Sequence, residues 1–227
     1  MDELQPEQQL QKTASKKKVA LVIGAGDATG GEIAKRFARG GYIACMTRRN
    51  AEKLQPLIAE IEAEGGLAYG FASDARKEEQ VITLVEEIEA NIGEIDVLVF
   101  NIGANVPCSI LEETARKYFK IWEMACFGAF LTGREVAKRM VVREHGSIIF
   151  TGATAGIRGA ANFAAFAGAK HALRALAQSM ARELGPKNIH VAHVVVDGAI
   201  DTDFIKDTFP DMYARKEYDG ILNPCLL

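Results

Sequence analysis

An excess of charge of either sign is missing from this chain: 27 lysines and arginines stand against 30 aspartates and glutamates, a formal charge of −3. That balance speaks against the basic field that holds a nucleic-acid backbone. Cysteine is scarce and scattered. Cys45, Cys108, Cys126 and Cys225 form no CxxC pair and no metal-ligand spacing, which suits reduced thiols in a cytoplasmic protein and leaves no metal site to assign. Cys225 is third from the end, so the prenylation pattern fails. No run approaches the roughly 18 apolar residues of a membrane span. Residues 1–17 also lack the apolar stretch of a secretory signal, and read as a disordered polar leader with Gln5, Gln8, Gln9 and Gln11 before Lys16 to Lys18. Aromatics are few, at 7%, yet 48% of the residues are apolar, enough for a large core.

What is present is alternation. Val19–Ile23, Ile43–Met46, Leu67–Ala72, Val97–Phe100, Ser147–Phe150 and Ile189–Val196 read as strands. Most are nearly continuous apolar runs, as parallel strands covered on both faces require. Between them Leu54, Leu57, Ile58 and Ile61 follow helical spacing, and Val81, Ile82, Val85 and Ile88 repeat it. Asn50 is a candidate cap for the first of these helices, but Pro56 removes a hydrogen bond and implies a later start or a kink. The pattern predicts one α/β domain over residues 18–227: a Rossmann-like, doubly wound parallel sheet with helices on both faces.

Chemistry collects at the strand ends. The first strand runs into Gly24-Ala25-Gly26-Asp27-Ala28-Thr29-Gly30-Gly31, and a helix follows. Glycines here let the backbone turn sharply and let a pyrophosphate approach the helix N-terminus, where free N–H groups favour anions. A glycine-rich turn alone is weak support, and its place between a buried strand and an amphipathic helix strengthens it. After the second strand come Arg48 and Arg49, where an acidic residue would accept from an adenosine ribose and arginine can pair with its 2′-phosphate. That choice favours NADP(H) over NAD; the alternative is a solvated pair in a surface loop.

Taken together, these stretches resemble the short-chain dehydrogenase/reductase family over about residues 18–204. The family's glycine turn matches Gly24 and Gly30 in spacing, with Ile23 for its threonine and Ala28 for its middle glycine. The resemblance places the adenine contact at Asp74, followed by Ala75, and the Asn-Ala-Gly element at Asn101-Ile102-Gly103. The element after the sixth strand reads Asp197-Gly198-Ala199-Ile200-Asp201-Thr202, so that Gly198, Ile200 and Thr202 join the cofactor set.

The resemblance also says what is missing. Where the family carries its catalytic tyrosine and lysine, this chain has Phe166 and Lys170; Ala153 occupies the serine position and Ala125 the asparagine position. Lys170 alone remains of four, in the family a ligand of the nicotinamide ribose. Two readings of Phe166 stand: a core aromatic, or the wall of a dry pocket over the nicotinamide. Loss of a general acid, ~10²–10⁴-fold, and of an oxyanion donor, about 10²–10³-fold, would leave ordinary carbonyl reduction very slow. The expectation is therefore an NADP(H)-binding oxidoreductase with atypical or weak activity on an unknown carbonyl or alcohol, or else an inactive NADP-binding protein on the same scaffold. Substitute proton donors are few. Thr151 and Thr154 are too weak as acids, His171 should face away, and His190 and His193 suit structural roles. Asp197 and Asp201 qualify if burial raises a carboxyl pKa, and Tyr213 or Tyr218 if a lid over about 200–220 delivers a phenol.

The chain is too short after Gly220 for the family's seventh strand and helix, so a truncated C-terminus is expected and a tetramer is doubtful. A homodimer through the helices near 113–142 and 163–184 is the expectation, the second being rich in alanine.

Overall fold

The computed structural model describes residues 18–214, 216 and 220–226; the polar leader and Tyr218 lie outside the described residues. Six parallel strands form the sheet: β1 (Lys18–Ile23), β2 (Ile43–Arg48), β3 (Leu67–Ala72), β4 (Glu94–Phe100), β5 (Gly146–Thr151) and β6 (Ile189–Val194). Their order is β3-β2-β1-β4-β5-β6. Alternation of side chains along each strand builds a core on either face. Val19, Leu21, Ile23, Ile43, Cys45, Leu98 and Phe100 point into one, and Ala20, Val22, Ala44, Met46, Val97 and Val99 into the other.

The helices covering these faces are α1 (Thr29–Arg39), α2 (Gln55–Ala63), α3 (Glu78–Asn91), α4 (Ala115–Trp122), α5 (Gly128–Arg143) and α6 (Ala164–Leu184). Pro56 has its effect at the start of α2. Asn50 caps a 3₁₀ turn over Ala51–Leu54 by accepting from the Glu52 amide at 3.0 Å, and the α-helix begins only at Gln55. A proline is tolerated in a first turn because the amide it lacks has no partner there.

Beyond shifts of one or two residues at the ends of β1, β2 and β5, three departures from the sequence reading have a visible cause. β4 starts at Glu94 rather than Val97, because a bulge at Asp96 lets the earlier residues pair with β1. The bulge turns the Asp96 carboxylate toward Lys18 (3.1 Å), Tyr42 (3.1 Å) and His145 (2.9 Å). β6 ends at Val194, two residues early, since the amides of Gly152 and Thr154 take the Val194 and Val196 carbonyls irregularly. The long helix expected over 113–142 is interrupted by a π-turn at Glu123–Phe127.

Beyond β6, a two-residue strand β7 (Ala199–Ile200) leads into α7 (Asp203–Thr208) and α8 (Pro210–Tyr213). The last described strand, β8 (Ile221–Leu222), pairs in parallel with β7 and does not join the main sheet. No helix among the described residues is long and apolar enough to cross a membrane.

Candidate functional site

β1 and β4 are sheet neighbours whose connections leave in opposite directions, and such a switch point opens a crevice at the strand C-termini. Two segments meet there. The glycine turn follows β1 and Asn101 follows β4; the Asn101 side-chain amide donates to the Gly24 carbonyl at 3.3 Å, and the Asn101 backbone amide to Ile23 at 2.9 Å. Gly24 holds φ at 86°, a left-handed conformation that favours glycine. A Cβ on Gly30 would stand 2.4 Å from the Gly24 carbonyl oxygen, so the start of α1 can approach the strand end only without one.

The crevice is suited to an anion. Residue Ala28, at the cap of α1, supplies no side-chain bond to the first amides of the helix, which leaves donors directed outward. Thr29 is buried and its hydroxyl has no partner among the described residues. A Cβ on Gly26 would meet nothing within 4 Å, so open space lies directly above the turn. An orphaned donor, uncapped amides and a glycine-lined gap together fit a pyrophosphate.

The sequence-predicted residues fall around two connected hollows. The larger, of about 700 Å³, is lined by Gly24, Gly26, Asp27, Thr29, Gly30, Asn101, Gly103, Ala153, Phe166, Lys170, Gly198, Ile200 and Thr202. The smaller, of about 360 Å³, is lined by Arg48, Arg49, Asp74, Ala75 and Asn101. Two of these carry partners that the sequence did not reveal. Arg48 donates to the Asp27 carboxylate at 2.9 Å and to the Lys53 carbonyl at 3.2 Å. Asp74 is gripped by the Arg76 guanidinium at 2.8 and 2.5 Å, which holds its carboxyl below the usual range.

Lys170 lies on α6 with its ammonium directed at the ends of β5 and β4. It donates to the Thr151 carbonyl at 2.8 Å and the Ile102 carbonyl at 3.3 Å, and sits 5.9 Å from the centre of the Phe166 ring. Burial lowers its pKa to about 8, opposed by the nearby Cys126 thiol. Beside it, Ala125, Phe166 and Ala153 share one apolar cluster with Ile121, Ala165 and Ala169. Ala125 is wholly buried in the π-turn and lines neither hollow.

The candidate proton donors separate. Asp201 is not raised by burial; the Lys216 ammonium at 2.6 Å and the Tyr213 phenol at 2.8 Å hold its pKa low, which corrects the expectation of an acid there. Tyr213 gives its phenolic hydrogen to Asp201 and lines no hollow, so it is not aimed at the site either. Thr154 lines the large hollow and donates to Asp197 in a short hydrogen bond. His171 turns back to the Ala167 carbonyl of its own helix. His193 is half-buried against Gly152, its pKa lowered by burial and by the charges of Lys170 and Arg174.

Sequence reasoning missed Arg158 and Phe163 on the large hollow, where Phe209 and Met212 of the expected lid also lie. No motif spacing marks Arg158 and Phe163, which lie in the irregular segment between β5 and α6. An arginine seven residues after β5 was the one available signal.

A profile of the short chain dehydrogenases matches residues 18–212. Among curated proteins, a 2-dehydro-3-deoxy-D-gluconate 5-dehydrogenase from Formosa agariphila is 31% identical over 209 residues, covering 86% of this chain and 79% of its own. A 7alpha-hydroxysteroid dehydrogenase from Escherichia coli is 30% identical over 199 residues, covering 88% and 77%. The crystal structure of a short-chain dehydrogenase from Rhodopseudomonas palustris is 46% identical, with a TM-score of 0.75 and coverage of 91% of this chain and 97% of that one.

Proposed function

We propose, from the premise that this chain belongs to the short-chain dehydrogenase family, that it binds NADP(H) and has atypical or weak oxidoreductase activity on a carbonyl or alcohol. Family members bind nicotinamide dinucleotides. In this reading the backbone around Gly24, Gly26, Asp27, Thr29 and Gly30 holds the pyrophosphate through N–H groups, and the orphaned Thr29 hydroxyl gains its partner. Asp74 and Ala75 lie toward the adenine; Asn101, Gly103, Gly198, Ile200 and Thr202 lie toward the nicotinamide, with Lys170 on its ribose. Arg48 and Arg49 meet the 2′-phosphate, Arg48 exchanging Asp27 for the stronger anion.

When bound, the dinucleotide supplies or accepts a hydride. Everything else falls to the chain. The carbonyls of Thr151 and Ile102 fix the Lys170 ammonium, and the apolar wall beside it excludes water. The observation that carries the activity reading is that wall: Ala153 and Phe166 line the hollow and offer no exchangeable proton, with Ala125 packed in the same cluster away from it. A carbonyl oxygen reduced there is neither protonated by a phenol nor held by a serine, which removes a large share of the usual rate. The same wall favours the second reading, an inactive protein that uses NADP as a ligand.

Two measurements test this. NADPH should bind more tightly than NADH, with Arg48→Asp reversing the order; equal affinities reject the cofactor choice. On a panel of carbonyls and alcohols, Ala153→Ser/Phe166→Tyr should raise turnover at least ~10²-fold with NADPH affinity unchanged. Parent activity that disappears in the double variant would instead mean a different chemistry.

Assembly as a cytoplasmic homodimer completes the proposal. Phe119, Trp122, Phe127 and Phe130 stack in series along α4, the π-turn and α5, and Arg134 lies over Phe130. Phe119 and Phe130 stay exposed, which supports a second copy of the chain as their cover.

A further inference from the structure

We infer that the substrate side of the large hollow takes an elongated apolar carbonyl or alcohol compound ending in a carboxylate, whose anionic end is held by Arg158. The inference rests on the reading above and names its substrate class.

Size comes first. The hollow of about 700 Å³ is in the range of small-molecule sites, and it continues past the glycine turn and Lys170, where the dinucleotide would lie, to Arg158, Phe163 and Met212. Its substrate walls are apolar. Phe163 and Phe166 stand on the α6 side, with Ala155 behind them, and Ile205, Phe209 and Met212 face them from the lid. Apolar surface on both sides rewards burial of hydrocarbon in proportion to its area.

Polar side chains on that side are few, and of them the Asn105 amide, like Arg158, makes no hydrogen bond among the described residues. The Thr154 hydroxyl gives its hydrogen to Asp197. Lys170 is committed to two backbone carbonyls deep in the hollow. A compound carrying many hydroxyls would bury them here without partners, which disfavours it. Arg158 differs. It lines the hollow at an exposed position and its guanidinium has no hydrogen bond or ion pair among the described residues. Asp197 is engaged by Thr154 and makes no ion pair among the described residues. Five planar donors without a partner at the rim of an apolar hollow match one carboxylate, two-pronged and singly charged.

The test uses the full chain saturated with NADP⁺ and three probes: decanoate, 1-decanol and xylitol, with binding followed by calorimetry. Decanoate should bind most tightly and xylitol not measurably. Arg158→Ala should weaken decanoate roughly fivefold and leave decanol unchanged. Arg158→Glu should reject decanoate and accept decylamine. Met212→Asp should weaken decanoate and decanol alike. Decanoate binding no tighter than decanol, an equal response of both to Arg158→Ala, or xylitol binding tightest would each overturn the inference. NADPH affinity is measured separately: its loss with decanoate binding retained rejects the dehydrogenase reading and leaves the carboxylate site standing.

Discussion

Lys170 shows how one residue can be read twice. In sequence it is the surviving member of a catalytic set; in the structure it is 3% exposed, its ammonium resting on two backbone carbonyls. Burial holds its pKa at about 8, below the ordinary 10.5. Between those values the unfolded chain keeps a proton that the folded chain has released, so this group makes stability rise with pH across that window. Below about pH 8 both states are charged and the full cost of burial remains. Replacing it with an apolar side chain of similar length, Lys170→Met, removes the dependence. Urea unfolding at pH 7 and pH 10.5 should show the parent gaining on the order of 3 kcal/mol relative to the variant. Parallel pH profiles for the two proteins would refute a buried, depressed lysine. Phe166 was read from the sequence as standing at the tyrosine position. That it shares a cluster with Ala125 and Ala153 was not legible there, because the three lie on separate elements.

At the scale of elements, the lid is the part held most by polar contacts. α7 begins at a cap, where Thr202 accepts from the Ile205 amide at 3.2 Å, and α8 ends with Tyr213 on Asp201. Lys216 reaches the same carboxylate, and the Asp201 amide donates to Leu222 in β8. Asp201 is thus a latch between the lid and the C-terminal strand. Its pKa is lowered, so the latch holds above the ordinary carboxylate range and is lost as pH falls through the lowered value. Asp201→Asn should raise hydrogen exchange across residues 203–213 several-fold while α6 stays protected; unchanged exchange in the lid would mean that its apolar contacts hold it alone. Periodicity identified the helices, and proline and asparagine foretold the late start of α2. The π-turn at Ala125 was not legible, since an extra residue in a helix leaves the apolar spacing almost intact.

For the whole molecule, the exposed aromatic ladder is the feature that one chain leaves unfinished. If a second copy covers it, Phe119→Asp/Phe130→Asp should convert a dimer to a monomer in sedimentation at micromolar concentration, with NADPH binding retained. A parent that sediments as a monomer would remove the ladder from consideration as a self-association face.

Apolar runs, alternation and glycine-rich strand ends determined the sheet, its parallel sense and the cofactor crevice, because each depends on spacing along the chain. The expectation that Phe166 stands at the family's tyrosine position is of the same kind, since it too rests on spacing along the chain. Tertiary structure alone decided what surrounds that residue. It packed Ala125, Ala153 and Phe166 into one apolar cluster, of which Ala153 and Phe166 face the hollow, turned Asp201 and Tyr213 toward each other and away from the hollow, and left Arg158 free at its rim. Such facts belong to distances between segments remote in the chain, and local spacing carries no information about them.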